Sequence, residues 1–411
     1  MRNVKRAAGA LIALFVLAGA VSAPARAVFG LPQILWVNVR SQRTLTQLPG
    51  FLSVTANLPD QRLADGQIVV QPTQPGRYEA VIKVFGVLPV RTVTVQALPP
   101  ISAVPGGQAI GVLLDTAGVL VVGDAASPAI AARAGLRAGD LITAADGQPV
   151  RSKEQLAAII QAAGQKGRSL TLTVRRLGGT STLRVLPAPE GSRYLIGAWV
   201  RDGISGIGTL TFYDPAADVF AALGHVVADA ATGAPYPLES GRIVPALVSG
   251  LSPGRQGAPG EKIGLFSANA STLGVIAANT SLGVFGRLVQ TPVGGISTRA
   301  VPIALEDQIR TGPAEMLTVI AGTRVQPFAI DIVRVVPQGR PEAKGLVVQV
   351  TDPRLLQATG GIVQGMSGSP ILQDGRLIGA VTHVFVNDPT RGYGVLAIWM
   401  AEGAGLLHSG G

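Results

Sequence analysis

Cysteine is absent from the 411 residues. That excludes disulfides, thiolate nucleophiles and cysteine-held metals. Stability must therefore come from a buried core, which a chain of this length can build. Charge is also scarce: 14% of residues are charged, and the net +10 comes mostly from scattered arginines. There is no long basic run and no basic–aromatic platform, which argues against nucleic-acid binding. A mild attraction to an anionic membrane surface remains compatible with this charge. No phosphate loop, dinucleotide fingerprint or metal motif is present, so no cofactor is expected. Beyond residue 27, no stretch is apolar enough to span a bilayer.

What is abundant is glycine (53), proline (29) and hydrophobic residues (47%). That composition points to a mainly β protein with many turns. Residues 1–27 have the form of an export signal or membrane anchor. Arg2, Lys5 and Arg6 precede the apolar run Ala7 to Ser22, and Ala25-Arg26-Ala27 offers a small-x-small cleavage site. The run is short for a spanning helix, which needs about 20 residues, so removal is favoured over retention. In either case the remainder is expected outside the cytoplasm.

Residues 28–99 alternate β-like runs with turns and suggest a small β-sandwich-like domain. "ALPPISAVPGG" marks a boundary. Residues 101–187 follow a strand, strand, helix, strand, strand, helix, strand order. Asp146-Gly147 predicts a hairpin turn. Ser152 predicts the cap of a helix running to Ala163 with Leu156, Ile159 and Ile160 on its apolar face. This segment resembles a bacterial PDZ domain. The resemblance implies a peptide-binding loop at Ile110-Gly111-Val112-Leu113, whose backbone would accept a chain terminus and pair with an added strand. Residues 191–411 show recurring short β runs and Gly-rich turns, which fits an all-β barrel region.

The stretch Gly365-Met366-Ser367-Gly368-Ser369-Pro370 precedes a predicted hairpin. It resembles the nucleophile loop of trypsin-like serine peptidases. Glycines permit the positive φ angles of a sharp turn, and such a turn can aim the amides of Gly365 and Ser367 at one oxyanion. Ser367 is then the nucleophile and Ser369 a supporting residue. The general base must be one of three histidines. His225 follows the small turn Leu223-Gly224 upstream of the serine, which suits the role. His383 reads as a half-buried strand residue, and His408 lies near the C-terminus. An orienting carboxylate could come from Asp202, Asp214, Asp218, Asp229, Glu315 or Asp352.

Several strings together carry a broader resemblance: "VPGGQAIGVLLDTAGVLVVG", "GIGTLTFYDP", "ALGHVVAD", "GPAEMLTVI", "TDPRLLQATGGIVQGMSGSPI" and "IGAVTHVFVNDPTRGYGV". They are similar, in this order, to strings of the SpoIVB sporulation signalling serine peptidases. The resemblance implies a trypsin-like double β-barrel preceded by a PDZ domain, with His225, Asp352 and Ser367 as the catalytic residues. It further implies an exported, self-cleaving peptidase acting in the forespore intermembrane space. Its substrates would be itself, in trans, and the extracytoplasmic part of a membrane-bound inhibitor complex. Cleavage of that complex would free an intramembrane protease that activates a mother-cell sigma factor. In trypsin-like enzymes the acid usually comes from the first barrel. Asp352 lies too close to Ser367 in the chain for that route, so it either orients His225 by a different topology or supports the serine loop.

Overall fold

The computed structural model describes residues 34–407 apart from 42, 48–51, 57–60, 65–66, 125–127, 177–178, 229–239 and 268. The export segment, Asp229 and His408 fall outside the described residues. No helix among the described residues is long and apolar enough to cross a membrane.

The N-terminal region contains a four-stranded sheet built from Ile34–Asn38, Leu88–Leu98, Gly76–Val84 and Leu52–Ala56, and a three-stranded sheet of Arg43–Gln47, Gln67–Val70 and Gln61–Ala64. Trp36 meets Trp399 edge to face, with ring centroids 5.4 Å apart, so this region is packed against the far end of the chain.

Next comes one long strand, β1 (Ala109–Asp124). Its second half belongs to a PDZ-like unit with α1 (Pro128–Ala134), β2 (Leu141–Ala145), α2 (Lys153–Gln165), β3 (Leu170–Arg176) and β4 (Gly179–Val185). The local chemistry behaves as the sequence predicts. Asp146 and Gly147 both have positive φ, 50° and 78°, as the hairpin turn requires. The Ser152 side chain accepts from the Gln155 amide and caps α2. Leu156, Ile160 and Ala163 on α2 enter a core with Val119, Ile142, Leu170 and Val174.

The strand β5 (Ala198–Asp214) runs antiparallel to almost the whole of β1. With β6 (Val219–Ala222), β7 (Ser240–Pro245), β8 (Glu261–Leu265), β9 (Gly274–Thr280) and β10 (Gly283–Leu288), the chain reaches the end of its first barrel. The ladder β1-β7-β9-β10-β6-β5 closes on itself, because β5 returns to β1; β8 lies outside it, paired with Leu247–Ser252. Closure leaves the six barrel strands no sheet edge to manage where they pair all round; the start of β5 extends beyond that ring.

A second closed barrel has the order β11 (Gly312–Thr318), β12 (Gln326–Val335), β13 (Leu346–Val350), β16 (Asp388–Leu396), β15 (Arg376–Phe385) and β14 (Pro370–Gln373). Helix α3 (Pro353–Thr359) follows β13, and α4 (Ala397–Gly403) ends the described chain. Met316, Phe328, Ile330, Val348, Ile371 and Val381 fill this barrel, while Trp399 of α4 is buried against its outside.

The PDZ-like unit is thus nested within the first barrel instead of preceding it. Residues 110–115 of β1 pair with β7 as barrel strand, and Val104 and Pro105 pair with β5. This corrects the peptide-binding role expected of Ile110, Gly111, Val112 and Leu113. Their two edges are already hydrogen-bonded to β5 and to β7, and Ile110 is fully buried. A strand with both edges taken cannot accept a third.

Candidate active site

The serine loop, residues 361–369, connects α3 to β14. Gly365 and Gly368 adopt φ of 87° and 91°, which only glycine tolerates readily. Gly368 also has no room for a side chain. A Cβ there would lie 2.2 Å from the Thr209 carbonyl oxygen and 2.5 Å from the Leu223 nitrogen. The loop is therefore pressed directly against β5 and the histidine-bearing turn.

Hydrogen bonds fix each peptide plane of the loop. Lys262 N–H donates to the Gln364 carbonyl (2.9 Å), and the Thr209 hydroxyl donates to the Gly365 carbonyl (2.8 Å). The Thr209 amide donates to the Ser367 carbonyl (3.0 Å), and the Thr211 hydroxyl to the Gly368 carbonyl (2.8 Å). In a trans peptide the N–H points opposite to the C=O. Pinning the Gln364 carbonyl to Lys262 thus turns the Gly365 N–H the other way. Neither the Gly365 nor the Ser367 amide donates to a protein acceptor among the described residues. Two free donors at one turn are what an oxyanion hole requires.

His225 follows Leu223 and Gly224, which both have left-handed φ, 68° and 69°. For leucine this conformation is strained, and such strain concentrates at functional sites. The Asn279 carboxamide holds the next turn by both atoms: Oδ1 accepts from Val227 N–H and Nδ2 donates to the Val227 carbonyl, each at 2.8 Å. His225 Nδ1 lies 2.8 Å from the Val226 carbonyl oxygen. A carbonyl only accepts, so Nδ1 carries the proton and Nε2 is the basic nitrogen. Burial lowers the imidazole pKa below 6.5, against the opposing pull of that carbonyl. His225 is neutral at pH 7 and ready to accept a proton.

His225, Ser367, Gly365 and His383 line one cleft between the two barrels, with a volume of about 700 Å³. His383 is the residue the sequence placed wrongly. It is exposed, its ring sits 5.3 Å from that of His225, and it projects from β15 into the cleft. Where the ring faces the cleft it loses part of its water; that desolvation first, then His225 and Lys344, push its pKa down to about 4, so it too is neutral at pH 7. The Ser367 hydroxyl donates to the Thr382 carbonyl (2.8 Å) instead of to His225. Attack requires it to turn, and catalytic hydrogen bonds commonly form only with substrate bound.

Asp352 is not in this cleft. It caps α3: Oδ1 accepts from Arg354 N–H (2.9 Å) and Oδ2 from Ala329 N–H (3.2 Å), while the Arg354 guanidinium takes both oxygens at 3.0 and 2.7 Å. These bonds, Arg354 foremost, hold its pKa down to about 2. The carboxylate has no capacity left for an imidazole. The role in orienting His225 is corrected accordingly: Asp352 anchors the helix that delivers the serine loop. Ser369 is the supporting residue expected, fully buried with its hydroxyl on Thr318 (3.0 Å).

A second cavity, of about 320 Å³, lies between α2 and the start of β5. Its lining includes Leu156, Ala157 and Ile160 from one side and Leu195, Ile196 and Trp199 from the other. Residues 198–204 of β5 pair with β1 on one edge and with no strand on the other among the described residues. At its entrance the amides of Ile196 and Gly197 donate to no protein acceptor among those residues, and Gly197 has φ of 79°.

Two barrels, a neutral histidine from the first, a serine from the second and an oxyanion turn between them define a trypsin-like double-barrel serine peptidase carrying a PDZ domain. The family can be stated as well. The model of the SpoIVB peptidase S55 family matches residues 192–401, and the chain belongs to that family. A PDZ-domain model matches residues 117–176. The magnetosome formation protease MamE of Magnetospirillum gryphiswaldense is 44% identical over 61 residues, which is 15% of this chain and 8% of that relative's length. The active form of the Rv3671c protease of M. tuberculosis matches 51% of this chain and 76% of its own at 14% identity, with a TM-score of 0.29.

Proposed function

We propose that the chain is a self-cleaving serine endopeptidase that signals between compartments during sporulation. The hydrolytic part rests on one observation: Ser367, two free loop amides and neutral His225 converge on a single cleft. In this reading His225 Nε2 takes the Ser367 proton as Oγ attacks the scissile carbonyl. The Gly365 and Ser367 amides receive the oxyanion. His225 returns the proton to the leaving amine, then activates the water that cleaves the acyl-enzyme.

The signalling part is supported by the family's motif strings, which run in family order through the PDZ and peptidase regions. Under it the chain is exported into the forespore intermembrane space, associates with the membrane through its N-terminal segment, and is processed in trans. It then cuts the extracytoplasmic part of a membrane-bound inhibitor complex. The cavity beside α2 supports a docking role for the PDZ unit. A free strand edge, an apolar lining and two free amides suit an extended peptide ending in an apolar residue, its carboxylate on Ile196 and Gly197. The full chain should process itself, with new N-termini readable by mass spectrometry, and Ser367→Ala should not. Absence of processing together with failure of Ser367 to react with a fluorophosphonate would end the reading.

A further inference from the structure

One ionisable group at the serine loop has no part in the mechanism above. Lys262, on β8, is 5% exposed. Its alkyl stem runs beneath the loop: a Cβ on Gly365 would stand 3.1 Å from Lys262 Cβ and 3.3 Å from its Cδ. Its ammonium donates to the Thr318 hydroxyl (2.7 Å) and reaches the Thr209 hydroxyl at 3.5 Å. The groups packed on it are Thr209 from β5, Thr318 from β11 and Gly365 from the loop, with Ser369 behind Thr318; among the described residues no carboxylate, imidazole or second cation acts on it, and burial alone lowers its pKa, to about 7.

A buried ammonium held only by hydroxyls is costly. A methionine would fill the same space without that cost, so packing does not account for the charge. The two hydroxyls are not ordinary neighbours. The Thr209 hydroxyl donates to the Gly365 carbonyl, and the Thr318 hydroxyl accepts from that of Ser369. The cation therefore polarises a hydrogen-bond chain ending on the peptide that follows the first oxyanion donor. Charge in a water-poor site acts more strongly than charge at the surface.

We propose that Lys262 is a positioning residue for the peptidase reaction. Its ammonium, acting through Thr209 and Thr318, locks the serine loop with the Gly365 amide turned into the cleft and adds positive potential where the oxyanion forms. This rests on the peptidase reading of the cleft. As a consequence, reactivity falls on the alkaline side when Lys262 loses its proton, while the acid side is set by His225. The effect on stability has the opposite sign. The unfolded lysine keeps its proton to about pH 10.5, so between pH 7 and that value the unfolded state binds more protons, and stability rises with pH.

The test is the rate at which a fluorophosphonate labels Ser367 in the full chain, measured from pH 5 to 9 with melting temperatures alongside. Wild type should be labelled and Ser367→Ala not; an unlabelled wild type overturns both this inference and the peptidase reading. Lys262→Met should label about tenfold more slowly at pH 6, less than the 10²–10³ lost with a direct oxyanion donor. It should show no alkaline decline, and it should melt higher than wild type at pH 6. Wild-type rates and an unchanged pH profile in Lys262→Met overturn the inference while leaving the peptidase reading intact. Should Lys262→Met fail to fold, Thr209→Val serves. It cuts the relay but leaves the ammonium on Thr318, so it should slow labelling and keep the alkaline decline. Unaltered labelling in Thr209→Val overturns the inference equally.

Discussion

The two halves of β5 face different cavities and do different work. At its start, residues 198–200 wall an apolar groove with α2. Further on, Thr209 and Thr211 hold three carbonyls of the serine loop. The groove has free backbone donors at its mouth and greasy side chains along it. The cleft has a nucleophile, a base and a buried cation. One strand thus separates recognition from chemistry while keeping both in a single hydrogen-bonded ladder. The PDZ unit and the first barrel share β1 and β5, so the groove and the cleft are joined by the same pair of strands.

Substitutions should divide along that line. The largest effect is expected of Ser367→Ala, which removes the nucleophile and should cost on the order of 10⁶ in kcat, with peptide capture in the groove unchanged by calorimetry. His225→Ala should cost about as much, since the serine and its base act as a unit. In wild type, the acid limb of the pH–rate profile should lie below 6.5, because burial lowers the His225 pKa and the neutral form is the active one. On the other side, Ala157→Asp places a charge on the exposed groove wall of α2 and should weaken binding of a peptide with an apolar C-terminus by about tenfold or more. Fluorophosphonate labelling should be within twofold of wild type. A variant that lost both properties would show the two halves of β5 to be one site.

The smallest effect concerns Asp352→Ala, which should cost about 1 kcal/mol of stability through the lost cap of α3, read as a lower denaturant midpoint. Its pH signature follows from the lowered pKa. The carboxylate's contribution is fully present above about pH 4 and fades as pH falls through about 2.

Much of this was legible in the residues. Ser152, Asp146-Gly147 and the Ser367 loop each announce local geometry, and local geometry is what short motifs encode. His225 was found because the small turn before it suits a catalytic base. What stayed hidden depends on pairings distant in sequence. "AIGVLL" reads as a PDZ edge until β7 is seen to take its second side. His383 sits in an apolar strand, and nothing in alternation tells that its outward face is a cleft. Lys262, Thr209 and Asn279 carry no motif at all, since each acts by holding a loop contributed by another part of the chain. Asp352 misleads for another reason: it falls in a string that resembles the family's, while its nearness to the serine already suited the helix cap that it proves to be.

The reacting group is a serine and a histidine held by a backbone carbonyl, without Asp352 as third member. The direct measurement is the fluorophosphonate labelling rate of folded Asp352→Asn at pH 7. Asparagine still caps a helix well, so the rate should stay within about threefold of wild type. An aspartate that oriented the base would show a loss of about 10⁴ on the same change, and that result, in a protein with a wild-type melting curve, would contradict it.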